Sequence, residues 1–129
     1  MSSDAGAATF MNWVDGLKNS RKRMYIVGNG GSAAIASHAV TDFVNMAKIS
    51  AFTLHDSSLL TCMTNDYGYE VAFARMLAMH AGEGDMLVAI SSSGKSPNIC
   101  NAVASFREAG GGKVLTLSGF KADNPLRQL

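Results

Sequence analysis

Two short segments of the chain carry residues suited to holding an anion: V-G-N-G-G-S at residues 27–32 and S-S-S-G-K-S at residues 91–96. Each follows a short apolar run and precedes an amphipathic stretch, so each reads as a strand-to-helix turn. Glycine and serine there leave backbone N–H groups free at the positive end of the helix dipole, a setting that favours phosphate. In the second loop the hydroxyls of Ser91, Ser92, Ser93 and Ser96, with Gly94 and Lys95, surround the helix start. Neutral hydroxyls and amides suit a phosphate monoester, and Lys95 adds charge. Two such loops in one small chain point to a site for a phosphorylated small molecule.

Further along the first helix, His38 and Asp42 stand at i and i+4 and project from one face. They lie about 9–15 Å along the axis from the helix start. A carboxylate beside an imidazole can take a proton next to a carbonyl or share a metal ion. The same spacing also makes an ordinary surface pair worth about 0.3–0.5 kcal/mol. Asn65-Asp66-Tyr67-Gly68 reads as a turn and cap for the following helix, which could also bring Asp66 near a ligand. His55 and His80 show no partner spacing, and the eight methionines read as core filling.

Two other readings compete for the loops. Gly28, Gly30 and Ala33 fit G-x-G-x-x-A, with Asp56 in reach as the ribose-binding acid of a dinucleotide site. A second glycine and serine loop is not needed for that function. Residues 89–96 come close to G-x-x-x-x-G-K-S, but Ala89 stands where the first, phosphate-wrapping glycine belongs, and no metal-binding aspartate follows a later strand.

The elements that must position these residues alternate. Apolar spacing predicts helices over residues 7–19, 32–47, 67–80 and 97–109, and strands over 24–27, 49–54, 86–90 and 114–117, with 55–65 less regular. In the second helix Ile35, Ala39, Val40, Phe43 and Val44 are expected to face one side, and in the third Val71, Phe73, Ala74 and Leu77 to be buried. Pro97 suits a first helical turn, glycines 110–112 end that helix, and Asn124-Pro125 opens another. Strand–helix alternation implies a parallel, doubly wound α/β sheet flanked by helices, with ligands at the carboxyl ends of the strands. Both loops fall at such ends.

Composition sets bounds on partners. With 129 residues, 47% hydrophobic and 16% charged, the chain reads as a single folded domain over residues 1–129. A net charge of +1 shows no electrostatic footprint for nucleic acid or an anionic membrane, and Arg21-Lys22-Arg23 reads as a solvated turn. No apolar run reaches membrane-spanning length, and the first residues lack a signal-peptide pattern. Cys62 and Cys100, without metal or CxxC spacing, read as reduced thiols in a cytoplasmic protein.

Taken together, V-G-N-G-G-S-A-A-I-A-S-H at 27–38, T-N-D-Y-G-Y-E at 64–70, A-I-S-S-S-G-K-S-P-N-I at 89–99 and V-L-T-L-S-G at 114–119 resemble the sugar isomerase (SIS) domain family, and within it the phosphoheptose isomerases. The resemblance runs from about Trp13 to the last residue. It implies a flavodoxin-like strand order, homotetramers with sites at subunit interfaces, and interconversion of sedoheptulose 7-phosphate with a manno-heptose 7-phosphate through an enediolate. No nucleotide cofactor is implied; zinc, one per subunit, is. By the same resemblance Ser91, Ser92, Ser93 and Ser96 hold the phosphate, and Asn29, Gly30, Gly31 and Ser32 contact the sugar with Asn65 and Asp66 nearby. His38 becomes a metal ligand, and Asp42 falls where the family has a glutamate serving as base and ligand.

Two departures stand out. Asp42 is a methylene shorter than glutamate, and a misplacement of about 1 Å can cost on the order of a hundredfold in rate. The family's last strand and C-terminal helix, which bring a glutamine and a histidine to the site, have no counterpart by Leu129, so a C-terminally incomplete SIS domain is expected. His38 and Asp42 then stand as two metal donors where catalytic zinc usually has three from protein. An aldose–ketose isomerase is the first expectation. A non-catalytic phosphosugar-binding module, of the regulatory or initiator-binding type, is the alternative.

Overall fold

Residues 24–27 and 86–90 are unbroken apolar runs, the mark of strands covered on both faces. In the computed structural model, which describes residues 3–129, they form the two central strands of a sheet. The elements are α1 (Ser3–Leu17), β1 (Arg23–Val27), α2 (Gly31–Asn45), β2 (Ser50–Thr53), α3 (Ser57–Tyr67), α4 (Tyr69–His80), β3 (Met86–Ser91), α5 (Pro97–Glu108) and β4 (Lys113–Ser118), closed by a 3-10 turn at Pro125–Gln128. The four strands are parallel and ordered β2-β1-β3-β4, the doubly wound, flavodoxin-like arrangement expected. The winding reverses between β1 and β3, where an open α/β sheet offers its ligand crevice. Val27 pairs with Ala89, so the two loops leave the sheet side by side.

Alternation along the strands sorts the core into two layers. Tyr25, Val27, Leu87 and Ala89 face α4 and α5, meeting Phe73, Leu77, Ile99, Val103 and Phe106. Met24, Ile26, Met86, Val88 and Ile90 face α1 and α2, meeting Val14, Leu17 and Ala36. Fully burying one such side chain is worth about 1.5–3 kcal/mol, so these layers fix where the loops begin.

Five expectations change. Residues 57–67, read as irregular in most of their length, form α3, which fully buries none of its residues and rests on the core only through the partly buried Leu60 and Met63. Asp56 starts it, its carboxylate accepting from the Leu59 N–H at 2.9 Å, and does not serve as a free ribose-binding acid. Asn65 and Asp66 sit in the last turns of α3 and do not cap α4; Gly68, at φ 94°, separates the two helices. On α2 the face toward the sheet is Ala36, Ala39, Val40 and Phe43, whereas Ile35 and Val44 are 60% and 48% exposed. On α4 the buried set is Ala72, Phe73, Met76 and Leu77, with Val71 and Ala74 half-buried.

Candidate functional site

The first loop is shaped by a close approach. A Cβ on Gly28 would lie 2.8 Å from Ser32 backbone and side-chain atoms, so only glycine lets the chain turn under the start of α2. Ser32 N–H donates to the Asn29 carbonyl at 2.9 Å, Gly30 caps α2, and Gly31 is its first residue. Neither α2 nor α5 has a side-chain hydrogen bond at its N-cap, so each presents N-terminal amides at the carboxyl end of the sheet. The second loop continues from β3: Gly94 N–H closes a turn onto the Ser91 carbonyl at 3.0 Å, and Pro97 opens α5.

Between these loops lies a cavity of about 200 Å³. Asn29 and Ser32 line it from the first loop and Ser91, Ser92, Ser93 and Ser96 from the second. Ile90 and Phe120 complete its wall. The Ser91 hydroxyl donates to Ser96 Oγ at 3.1 Å, which leaves the Ser96 hydroxyl proton to be donated onward. Ser93 Oγ accepts from the Lys95 N–H at 3.2 Å. Hydroxyl donors, two helix N-termini and no carboxylate in the lining make a setting for a phosphate. A larger cleft of about 410 Å³ lies at the edge strand β2, lined by Tyr25, Phe52, Leu54, Leu59, Arg23 and His80 among others. Its wall is mostly apolar and lacks the hydroxyl set, so the smaller polar cavity is the candidate site.

The two loops are tied together by residues that sequence reasoning missed. Asn29 and Asn98 exchange amide hydrogen bonds at 2.9 and 2.8 Å, and the Tyr69 hydroxyl donates to Asn29 Oδ1 at 2.6 Å. Asn98 is only 3% exposed. Asn29 thereby keeps one amide N–H for a ligand while its orientation is fixed from β3's side of the site. A polar residue beside Pro97 in a first helical turn was the available signal for Asn98; Tyr69 gave none beyond its place in a helix. His55, at the end of β2, packs on Phe73 with ring centroids 5.6 Å apart, and Phe73 in turn packs on Tyr69. Neither ring nitrogen of His55 finds a partner at hydrogen-bonding geometry, and burial pushes the imidazole below its usual pKa while the Gly28 backbone opposes this in part.

Other expected site residues stand apart. His38 and Asp42 lie on the outer face of α2, their side chains 80% and 57% exposed, with Nε2 to Oδ2 at 3.6 Å. Asn65 Nδ2 donates to Asp66 Oδ1 at 3.0 Å on the exposed surface of α3. None of these four lines the polar cavity.

The model of the SIS domain family matches residues 6–119, most of the chain. The chain belongs to the SIS domain family. It is 44% identical over 103 residues to a phosphoheptose isomerase of Citrifermentans bemidjiense, a match that covers 75% of this chain and 53% of that protein. A phosphoheptose isomerase of Bradyrhizobium sp. strain BTAi1 is 44% identical over 119 residues, covering 88% of this chain and 58% of the relative. The solved structure of a phosphoheptose isomerase from Neisseria gonorrhoeae superimposes with a TM-score of 0.86 at 30% identity, covering 98% of this chain and 68% of that one. This SIS chain thus spans a little over half the length of the curated relatives it matches.

Zinc, the metal that the resemblance implies, finds a partial donor set. His38 and Asp42 present one nitrogen and one carboxylate on adjacent turns, and among the described residues no group of three His, Cys, Asp or Glu comes together. Two exposed donors fall short of the three protein ligands of a catalytic zinc site, so by themselves they do not fit one.

Proposed function

We propose that this chain carries the phosphosugar site of an aldose–ketose isomerase acting on sedoheptulose 7-phosphate and a manno-heptose 7-phosphate. The observation that carries the reading is the meeting of Asn29, Ser32 and four serines of the second loop around one polar cavity at the β1–β3 switch. Ser91, Ser92, Ser93 and Ser96 with the start of α5 take the phosphate; Asn29, Gly30, Gly31 and Ser32 take sugar hydroxyls. Asn65 and Asp66 belong to the sugar side of the same reading.

Asp42 is the base. It removes the proton from the carbon beside the carbonyl and returns it to the neighbouring carbon, and His38 at 3.6 Å orients the carboxylate and supports the enediolate oxygen. The reacting carbons and the phosphate lie at opposite ends of a heptose 7-phosphate, so base and cradle are not required to adjoin. The exposure of His38 and Asp42 calls for a surface to close over them. A second copy of the chain suits that role, since Ile35 and Val44 are exposed on the same helix, and a homo-oligomer, tetrameric by resemblance, is part of the reading. Among the described residues no helix is long and apolar enough to cross a membrane; free thiols at Cys62 and Cys100 support a cytoplasmic setting.

A second reading, a binding module without turnover, is favoured by one observation: the cavity is assembled within this chain and the His38–Asp42 pair is not joined to it. Phosphorus NMR of the chain with sedoheptulose 7-phosphate, with and without added zinc, separates them. The isomerase reading expects a new phosphate-ester signal that grows with time. A broadened substrate signal without product supports the binding module, and a sharp, unchanged one overturns both.

A further inference from the structure

The serine loop is held from behind by the segment that follows β4. Asn124, 2% exposed, spends its side chain there: Nδ2 donates to Ser118 Oγ at 2.9 Å and to the Lys121 carbonyl at 2.8 Å, and Oδ1 accepts from the Arg127 N–H at 3.1 Å. The Leu126 side chain, fully buried, anchors the segment in the core layer of α4 and α5. The Asn124 side chain lies directly against Gly94, which holds φ +66°, and a Cβ on Gly94 would run into it. Two hydrogen bonds then cross from the segment to the loop: Gly119 N–H to the Ser92 carbonyl and Leu126 N–H to the Gly94 carbonyl, both 2.9 Å.

Those two carbonyls decide where the loop's amides point. In a planar trans peptide the N–H is directed opposite to the C=O of the preceding residue. With the Ser92 carbonyl turned to Gly119, the Ser93 N–H is turned away from the segment, and among the described residues it has no hydrogen-bond partner. The Gly94 carbonyl fixes the Lys95 N–H in the same way, and that group donates to Ser93 Oγ at 3.2 Å. An unpartnered amide among serine hydroxyls is the donor set a phosphate requires.

The structure assigns Asn124 as the positioning residue of the anion cradle: by packing on Gly94 and folding residues 118–126 against the loop, it holds the Ser92 and Gly94 carbonyls outward so that the Ser93 amide and the serine hydroxyls are left to the ligand. This inference rests on the reading of the serine loop as a phosphate site. It makes residues 118–126 part of the binding machinery without contact between Asn124 and the ligand.

The test is calorimetric titration of the chain with sedoheptulose 7-phosphate, for wild type and Asn124→Ala, reading affinity and stoichiometry separately. A positioning role weakens Kd by at least about tenfold, the loss of a well-made hydrogen-bond set, with stoichiometry retained. A merely structural role lowers the binding-competent fraction and leaves Kd unchanged, which overturns the assignment. Where Asn124→Ala does not fold, amide hydrogen exchange on the wild type decides. Ligand at about 100 times Kd slows exchange of the Leu126 and Gly119 amides by up to about a hundredfold if loop and segment open together. Unchanged exchange of these two amides under saturating ligand overturns the assignment. No binding by the wild type at all instead overturns the phosphosugar reading on which it rests.

Discussion

The turn at residues 91–94 is closed by its own Gly94–Ser91 hydrogen bond, receives two more from residues 119 and 126, and faces Asn29, itself held by Asn98 and Tyr69. Along the outer face of α2, by contrast, His38 and Asp42 reach each other at 3.6 Å and are mostly in solvent. One region is tied by several hydrogen bonds within the chain; the other is an exposed surface pair. The proposed phosphate site is built into loops anchored on buried strands. In the proposed mechanism His38 and Asp42 act on the far end of the sugar from an exposed helix face, and that reading needs a surface to cover them. For a base that must sit within a few tenths of an ångström of its proton, that cover is as much a part of the chemistry as the carboxylate.

The largest effect that separates the two regions is in turnover. Asp42→Asn is expected to lower the isomerisation rate by about 10²–10⁴-fold, the usual weight of a general base, while leaving the affinity for sedoheptulose 7-phosphate within about twofold. Rate assays paired with calorimetry check this, and full activity in the variant removes Asp42 from the mechanism. Gly94→Ala reverses the pattern. A side chain at φ +66° is strained by about 1–2 kcal/mol and displaces Asn124, so phosphate-ester affinity should fall about a hundredfold with α2 untouched.

A smaller effect tests the packed side through pH. His55 is partly buried in the folded chain, and desolvation holds its pKa below the ordinary imidazole value. As pH falls through the ordinary imidazole value, the unfolded chain takes up a proton that the folded site resists. Stability is therefore complete above that value and is lost below it, down to the folded pKa. Thermal melts from about pH 7.5 to about 5.5 should show His55→Phe losing less stability than the wild type; parallel curves would contradict a lowered pKa at His55. The smallest effect belongs to α2: His38→Ala should change unfolding free energy by no more than about 0.5 kcal/mol, measured by denaturant titration. A larger loss would mean that the pair is not the loose surface contact described.

The sheet was legible because its strands are short apolar runs and its loops are glycine and serine clusters at their ends. Alternation of strands and helices placed both loops at carboxyl ends of a parallel sheet; that residues 29, 32, 91–93 and 96 meet at one site also needed the strand order, which the family resemblance implied and the structure shows as β2-β1-β3-β4. What escaped was written in single polar residues. α3 has only Leu60 and Met63 packed against the core amid serine, threonine and asparagine, a stripe too short to stand out, and Asp56 marks its start. Asn98, beside Pro97, and Asn124, which does cap the Pro125–Gln128 turn, are also buried braces, a second role that depends on partners 69 and 30 positions away. The exposure of Ile35 and Val44 was likewise hidden, because apolar periodicity says which residues share a face and not how wide a face the sheet covers.

The central claim, that the loops after β1 and β3 form one phosphosugar cradle, is tested most directly by amide NMR of the chain titrated with sedoheptulose 7-phosphate. The account predicts saturable shifts concentrated at residues 29–32 and 91–96, with weaker ones at Gly119 and Leu126. Shifts gathered instead around Arg23, Phe52 and Leu59, at the apolar cleft of the sheet edge, or no shifts at all, would contradict it.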